Sequence, residues 1–161
     1  MKKLLLIRHA EAKGYTDKGD YARPLSVKGE KDVIALAQKL KNKNLLPLQV
    51  VCSPSLRTLT TAYILTRDWA MSTPQHNPAV YEASEKTLLN VINHFPNSVD
   101  FMALVGHNPG IGYLLLNLTG KVRDVPPCTA IMLVFEDAHS WQEVSHETGV
   151  ITYYTTPQHT N

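Results

Sequence analysis

Lys3-Leu4-Leu5-Leu6-Ile7-Arg8-His9 is the stretch on which the reading of this chain turns. Its apolar residues run without polar alternation and stop at two basic side chains, the pattern of a short strand covered on both faces in a largely parallel sheet. Behind Met1-Lys2 the run imitates a signal peptide, but Arg8 and His9 end it well short of the ~7 to 15 apolar residues such a segment needs. A central strand delivers whatever follows it to its carboxyl end, and here that is Arg8-His9.

The same grammar recurs further along. Leu48-Gln49-Val50-Val51-Cys52 reads as a second strand, with Ser53-Pro54 as N-cap and first residue of a helix carrying Arg57. Phe101-Met102-Ala103-Leu104-Val105 reads as a third, and Gly106-His107-Asn108-Pro109 turns it into an apolar helix over 111–118 with Gly120 as C-cap. Ser26 is placed to cap a helix with Val33, Ile34, Leu36, Ala37 and Leu40 on one face, fading near 42–44. Ser84 is placed to cap another, with Leu88, Leu89, Ile92 and Phe95 at helical spacing before Pro96. Residues 131–135 and 141–146 are expected as adjacent strands, 150–154 as a further extended stretch, and the end from about 155 as frayed. Strands alternating with helices predict an α/β layered fold whose polar strand ends converge on one crevice.

Composition narrows the classes. A chain of 161 residues suits one domain over 1–161, and 43% hydrophobic with 19% charged residues is ordinary for a soluble globular protein. No apolar run approaches the ~18 residues of a membrane span, so no membrane partner is expected. A formal charge of +2, with lysines spread along one helix between Lys28 and Lys43, argues against nucleic acid. Two cysteines without Cys-x-x-Cys spacing suit a reducing compartment, here the cytoplasm, and the scattered His76, His94, His139, His146 and His159 show no zinc-ligand spacing.

Arg8, His9 and His107 fall at two strand ends, and Arg57 one turn into the helix after another. Two permanent cations and two imidazoles form a cradle for a phosphoryl group, although each residue alone would pass for an ordinary loop residue. Arg8-His9-Ala10-Glu11-Ala12, Ser53-Pro54-Ser55-Leu56-Arg57-Thr58 and Gly106-His107-Asn108-Pro109 resemble the three signature stretches of the histidine phosphatase superfamily. Arg23-Pro24-Leu25-Ser26 followed by Gly29, the short length and the lack of a large inserted cap are similar to its phosphohistidine phosphatase branch, SixA. The resemblance runs in order from Lys3 to about Phe135. It implies a phosphoglycerate-mutase-like three-layer α/β/α sandwich with a central, mostly parallel sheet. It further implies a metal-independent phosphohistidine phosphatase without cofactor, in which His9 attacks phosphorus to form a covalent intermediate and Arg8, Arg57 and His107 bind the phosphoryl oxygens. The partner would be a phosphohistidine-containing phosphotransfer or phosphorelay protein.

Some positions stay open. Glu82 matches the region where ester-cleaving relatives carry a general acid, and reads equally as a solvated loop carboxylate. Glu11 reads as an exposed carboxylate or as an orienter of Arg8, and Arg23 as an anchor of its own loop or a neighbour of the substrate phosphate. Ala10 stands where the superfamily often has glycine, so the turn after His9 needs no left-handed backbone. Thr60 replaces a common glutamine. Cys52 and Arg57 imitate a cysteine phosphatase loop, but the spacing is one residue short and Pro54 lacks a backbone donor. Gly106, Gly110 and Gly112 do not match a dinucleotide fingerprint. Two other functions remain in view: a phosphatase of small phosphate monoesters using Glu82 as acid, and a non-catalytic phosphate-binding module.

Overall fold

Leu4, Leu5, Leu6 and Ile7 are each fully buried, and they divide between two cores. Leu4 and Leu6 join one apolar cluster and Leu5 and Ile7 the other, so successive side chains of one strand face opposite layers. The computed structural model describes residues 1–158. Its elements run β1 (Lys2–Arg8), α1 (Val27–Asn42), β2 (Gln49–Cys52), α2 (Leu56–Asp68), β3 (Gln75–His76), α3 (Glu85–Asn93), β4 (Phe101–Gly106), α4 (Gly110–Thr119), β5 (Ala130–Phe135) and β6 (Val150–Thr155).

The strands form one sheet in the order β3-β2-β4-β1-β5-β6. β3, β2, β4 and β1 pair in parallel, while β5 runs antiparallel to β1 and β6 antiparallel to β5. Val33, Leu36, Ala37 and Leu40 of α1 and Ala62, Ile64 and Leu65 of α2 cover the face of Leu5 and Ile7. Leu88, Val91 and Ile92 of α3 and Ile111, Leu114, Leu115 and Leu118 of α4 cover the other. This is the predicted three-layer α/β/α arrangement. Burying a large aliphatic side chain stabilises by roughly 1.5–3 kcal/mol, so β1, apolar on both faces, ties the layers together.

Local signals explain the helix starts. Ser26 accepts the Gly29 N–H at the start of α1 and Ser84 the Thr87 N–H at the start of α3, both as expected. Gly120 ends α4 with φ of 69°. At α2 the expectation is corrected. The N-cap is Ser55 and the helix begins at Leu56, because the Ser53 hydroxyl accepts the Ser55 N–H at 3.3 Å and meets His107 Nε2 at 2.8 Å rather than accepting an N–H of the helix.

Residues 141–146 are not a strand. Trp141–Glu143 form a single 3-10 turn, and β6 takes the place beside β5. The physical reason is the fully buried Trp141 indole, whose Nε1 donates to the Val99 carbonyl while its backbone N–H donates to Asn97 Oδ1. A tryptophan plugging the sheet's amino end satisfies its polar atoms locally and leaves no ladder to join. Thr155 ends β6, Thr156 is buried and 157–158 form a turn, so the end is not frayed from 155, and 159–161 of the expected frayed end lie outside the described residues.

Gly29 lets α1 approach the loop after β1. A Cβ there would collide with the Glu11 carbonyl oxygen, which accepts the Ser26 N–H. Gly29→Ala is therefore expected to destabilise by about 1–3 kcal/mol in urea unfolding, despite alanine's better helix propensity. An unchanged midpoint would mean that the loop yields freely.

Candidate active site

The three parallel strands β2, β4 and β1 lie side by side, and each ladder runs one bond past its strand. The His9 N–H donates to the Gly106 carbonyl at 3.0 Å, and the Ser53 N–H to the Val105 carbonyl at 3.1 Å. These bonds set His9, Ser53 and the residue after Gly106, His107, at one level of the sheet edge. Arg57 follows in the first turn of α2. The sequence-predicted Arg8, His9, Arg57 and His107 are thus brought together.

His9 is 8% exposed and its ring centroid lies 5.3 Å from that of His107. Its Nδ1 stands 2.8 Å from the Ala10 carbonyl oxygen. A carbonyl can only accept, so Nδ1 carries the proton and Nε2 keeps its lone pair. Burial pushes the His9 pKa down to about 4; the hydrogen bond to the Ala10 carbonyl pulls against it, and the charges of Arg57, Arg8 and Arg23 add to the fall. The ring is neutral at pH 7. Ala10 itself is fully buried and has no left-handed backbone, and its N–H donates to Thr61 Oγ1 at 3.1 Å.

His107 is held on both sides. Its Nε2 donates to Ser53 Oγ at 2.8 Å, and its Nδ1 faces Arg57 Nη2 at 3.4 Å, a contact in which only the guanidinium can donate. Burial, then His9 and Arg57, pushes its pKa down to about 3. Arg8 Nη1 donates to the Val125 carbonyl, which also accepts from Asn108 Nδ2, and Arg8 Nε is buried without a hydrogen-bond partner among the described residues. Burial and the charge of Arg57 lower the Arg8 pKa. Two guanidinium groups beside two neutral imidazoles make an electrostatic vacancy for an anion.

Two residues that line the site escaped the sequence reading. Asp20, in the 3-10 turn Asp20–Ala22, accepts Arg57 Nη2 and Tyr81 Oη on Oδ2, at 3.0 and 2.6 Å, and Arg23 Nη1 on Oδ1 at 3.0 Å. Its backbone carbonyl accepts Arg57 Nη1 at 2.8 Å. The Tyr81 hydroxyl first, then the guanidinium groups of Arg23 and Arg57, holds the Asp20 carboxyl far below the usual carboxylate range. The Tyr81 ring meets His107 edge-on at 5.5 Å. The only signal available was the spacing Asp20-x-x-Arg23 inside a polar loop, which does not by itself point at Arg57, 37 residues later.

The other candidate positions lie around this group. Glu82 is exposed, has a left-handed backbone with φ of 47°, and makes no hydrogen bond to Arg8, His9, Arg57 or His107. Glu11 accepts Ser26 Oγ at 2.9 Å at the start of α1 and does not orient Arg8. Arg23 anchors its own loop through Nε to the Lys13 carbonyl at 2.8 Å, while its charge still reaches His9. The Thr60 hydroxyl bonds within its own helix to Leu56, and it is Thr61 that stands behind the pocket. Burial pushes the Cys52 thiol up to about 12, which leaves it a strand residue rather than a nucleophile. Among the described residues no group of three or more His, Cys, Asp or Glu side chains could hold a metal ion, and His159 lies outside them. Cavities of about 510 Å³ beside Lys31, Ile34 and Lys41, and about 420 Å³ beside His76, Asn90 and His94, are lined by none of the four residues, so the site is marked by chemistry rather than by size.

Comparisons with known proteins bear on the family and the fold. The family model of the histidine phosphatase superfamily (branch 1) matches residues 4–85. An uncharacterized chloroplastic protein of Arabidopsis thaliana is 28% identical over 154 residues, covering 88% of this chain and 70% of its own. Among solved structures, the protein histidine phosphatase SixA complexed with tungstate shares the fold with a TM-score of 0.82 at 19% identity, over 96% of this chain and 97% of its own. A histidine-to-alanine variant of a phosphoserine phosphatase from Entamoeba histolytica, in complex with phosphoserine, shares it at 0.70 and 17% identity over 100% of both chains.

The two low histidine pKa values carry a stability consequence. The unfolded chain takes up protons as pH falls through 6.5, whereas the folded chain does so only near 4 at His9 and near 3 at His107. Their contribution is therefore fully present above pH 6.5 and is lost as pH falls below it. Thermal unfolding between pH 7 and 4.5 should show a falling Tm, and His9→Ala should flatten that slope. The Asp20 carboxyl titrates below this window, so an equal slope in both proteins would mean that His9 is not held neutral.

Proposed function

The chain belongs to the histidine phosphatase superfamily, and on that premise we propose that it removes the phosphoryl group from phosphohistidine in a protein, through a covalent intermediate on His9. The observation that carries the reading is the His9 tautomer. With Nδ1 bound to the Ala10 carbonyl, the Nε2 lone pair is free, and the ring stays neutral between guanidinium groups that attract the substrate's anionic end.

In this reading His9 Nε2 attacks phosphorus while the bond from phosphorus to the substrate ring nitrogen breaks, that nitrogen keeping the electron pair. Water then attacks the phosphorus of phospho-His9, which restores the Nε2 lone pair and releases inorganic phosphate. Arg8 and Arg57 hold the phosphoryl oxygens and stabilise the charge spread over them in the transition state, and His107 joins them when the bound anion draws a proton onto Nδ1, the nitrogen that faces Arg57. The arginines supply the electrostatic stabilisation that a metal ion supplies elsewhere, so the proposed reaction is metal-independent.

The choice of phosphohistidine over a phosphate ester is supported by the carboxyl groups. An alcohol needs a proton donor to leave, whereas an imidazole of reference pKa ~6.5 leaves readily. The Asp20 carboxyl beside Arg57 is ionised at pH 7 and has no proton to give, and Glu82 lies at the surface. The fold shared with SixA is in keeping with this substrate. The partner is then a phosphotransfer or phosphorelay protein, served by a single domain in the cytoplasm. Two free, buried thiols and the lack, among the described residues, of a helix long and apolar enough to cross a membrane are compatible with that setting.

Phosphate release from a phosphohistidine-bearing transfer protein, measured after treatment with a chelator, is expected for the wild type and to vanish in His9→Ala. Inorganic phosphate should still bind that variant, because both arginines remain. Glu82→Gln should stay within about twofold of the wild type on the same substrate. Turnover by His9→Ala, or wild-type turnover that needs an added metal, would refute the proposal.

A further inference from the structure

The rim of the site holds a carboxylate that the reaction above does not use. Asp20 accepts three hydrogen bonds, two on Oδ2 from Arg57 and Tyr81 and one on Oδ1 from Arg23. A carboxylate offers about four acceptor directions, so one is left open. The Asp20 side chain is 41% exposed whereas that of Arg57 is 5% exposed, so the carboxylate stands on the outer side of the guanidinium. Both terminal nitrogens of Arg57 already donate to Asp20, through its backbone carbonyl and its carboxylate. A phosphoryl group held by Arg57 therefore lies against a negative charge.

In-line displacement decides which part of the substrate meets that charge. The leaving group departs on the side of phosphorus away from the nucleophile. His9 is buried, and the histidine of a protein substrate stays tethered to its chain outside. The substrate ring therefore sits outward of phosphorus, toward the rim where Asp20 bonds Arg57 and Tyr81 and where its charge reaches His107. An aromatic wall borders the same place, with Tyr21 and Tyr81 packed edge to face at 5.0 Å and Tyr21 48% exposed.

Resting on the phosphohistidine reading, we propose that Asp20 selects the leaving group: its open carboxylate oxygen accepts the N–H of the substrate's imidazolium ring, at the nitrogen not bonded to phosphorus. The ring already carries that proton. When the phosphorus–nitrogen bond breaks, the electron pair goes to the other ring nitrogen and neutral imidazole departs, so no proton passes through Asp20. A charge-assisted bond holds the cationic form of the ring, the form that leaves readily. The exposed Tyr21 face adds a cation–π contact. Against an ester the sign reverses. The departing oxygen gains negative charge, and a carboxylate beside it is repulsive, so the one residue favours one substrate class and disfavours the other.

The test compares wild type with Asp20→Asn on a histidine-phosphorylated peptide and on p-nitrophenyl phosphate, with inhibition by inorganic phosphate as a third readout. The variant should lose about tenfold or more in kcat/KM on the phosphohistidine peptide, as expected when the acceptor of a charge-assisted hydrogen bond becomes a neutral amide oxygen. Its kcat/KM on p-nitrophenyl phosphate should hold or rise, and inorganic phosphate should inhibit it more tightly, because a negative neighbour of Arg57 is gone. Tighter inhibition also shows that the variant is folded with its phosphate site intact. Equal losses on both substrates would assign Asp20 a structural role, and equal gains would make it a plug of the pocket. Either result, or an unchanged substrate preference, overturns the inference. Wild type without turnover of the phosphohistidine peptide overturns the parent reading, and this one with it.

Discussion

The parallel pairing of β1 with β4, and of β4 with β2, is the constraint on which the rest of the molecule depends. Parallel strands end together, so residues separated by nearly 100 positions arrive at one edge of the sheet. The last bonds of these ladders do more than close a sheet. By donating to Gly106, the His9 backbone fixes the ring beside His107, and by donating to Val105, the Ser53 backbone brings its hydroxyl under His107 Nε2. Both helix layers exist because β1 and β4 are apolar on both faces and need covering on both.

Electrostatics in the site run against the usual rule that buried charge is paired. Arg57 is paired with Asp20, but Arg8 keeps a buried Nε without a partner among the described residues, and the two histidines are driven neutral first by burial and then by the charges around them. Such an arrangement is held in place by the backbone carbonyls of Ala10, Val125 and Asp20, acceptors whose positions the fold sets before any substrate arrives. A serine hydroxyl at Ser53 completes the set, taken from the position where a helix cap would otherwise use it.

Much of this was legible in the chain. Largely apolar runs ending at Arg-His, Ser-Pro and Gly-His-Asn-Pro marked β1, β2 and β4, because a strand buried on both faces carries little polar alternation. Ser26, Ser84 and Gly120 marked helix boundaries through local hydrogen bonding, a property of a few adjacent residues. Illegible were features whose cause is distant. Trp141 reads as a strand residue until the indole is seen plugging the sheet, Ser53 reads as a cap until His107 claims it, and the two-residue β3 carries too little pattern to notice.

The sequence by itself determined the layered α/β fold and the residue types at the strand ends, since periodicity and short-range capping act within a few residues and survive translation into a string of letters. Only the tertiary structure decided which nitrogen of His9 carries its proton, that Glu82 stays at the surface, and that Asp20 and Tyr81 close around Arg57. Those facts depend on contacts between residues far apart in the chain and on how much water remains around each charge. Both are set only when the layers pack.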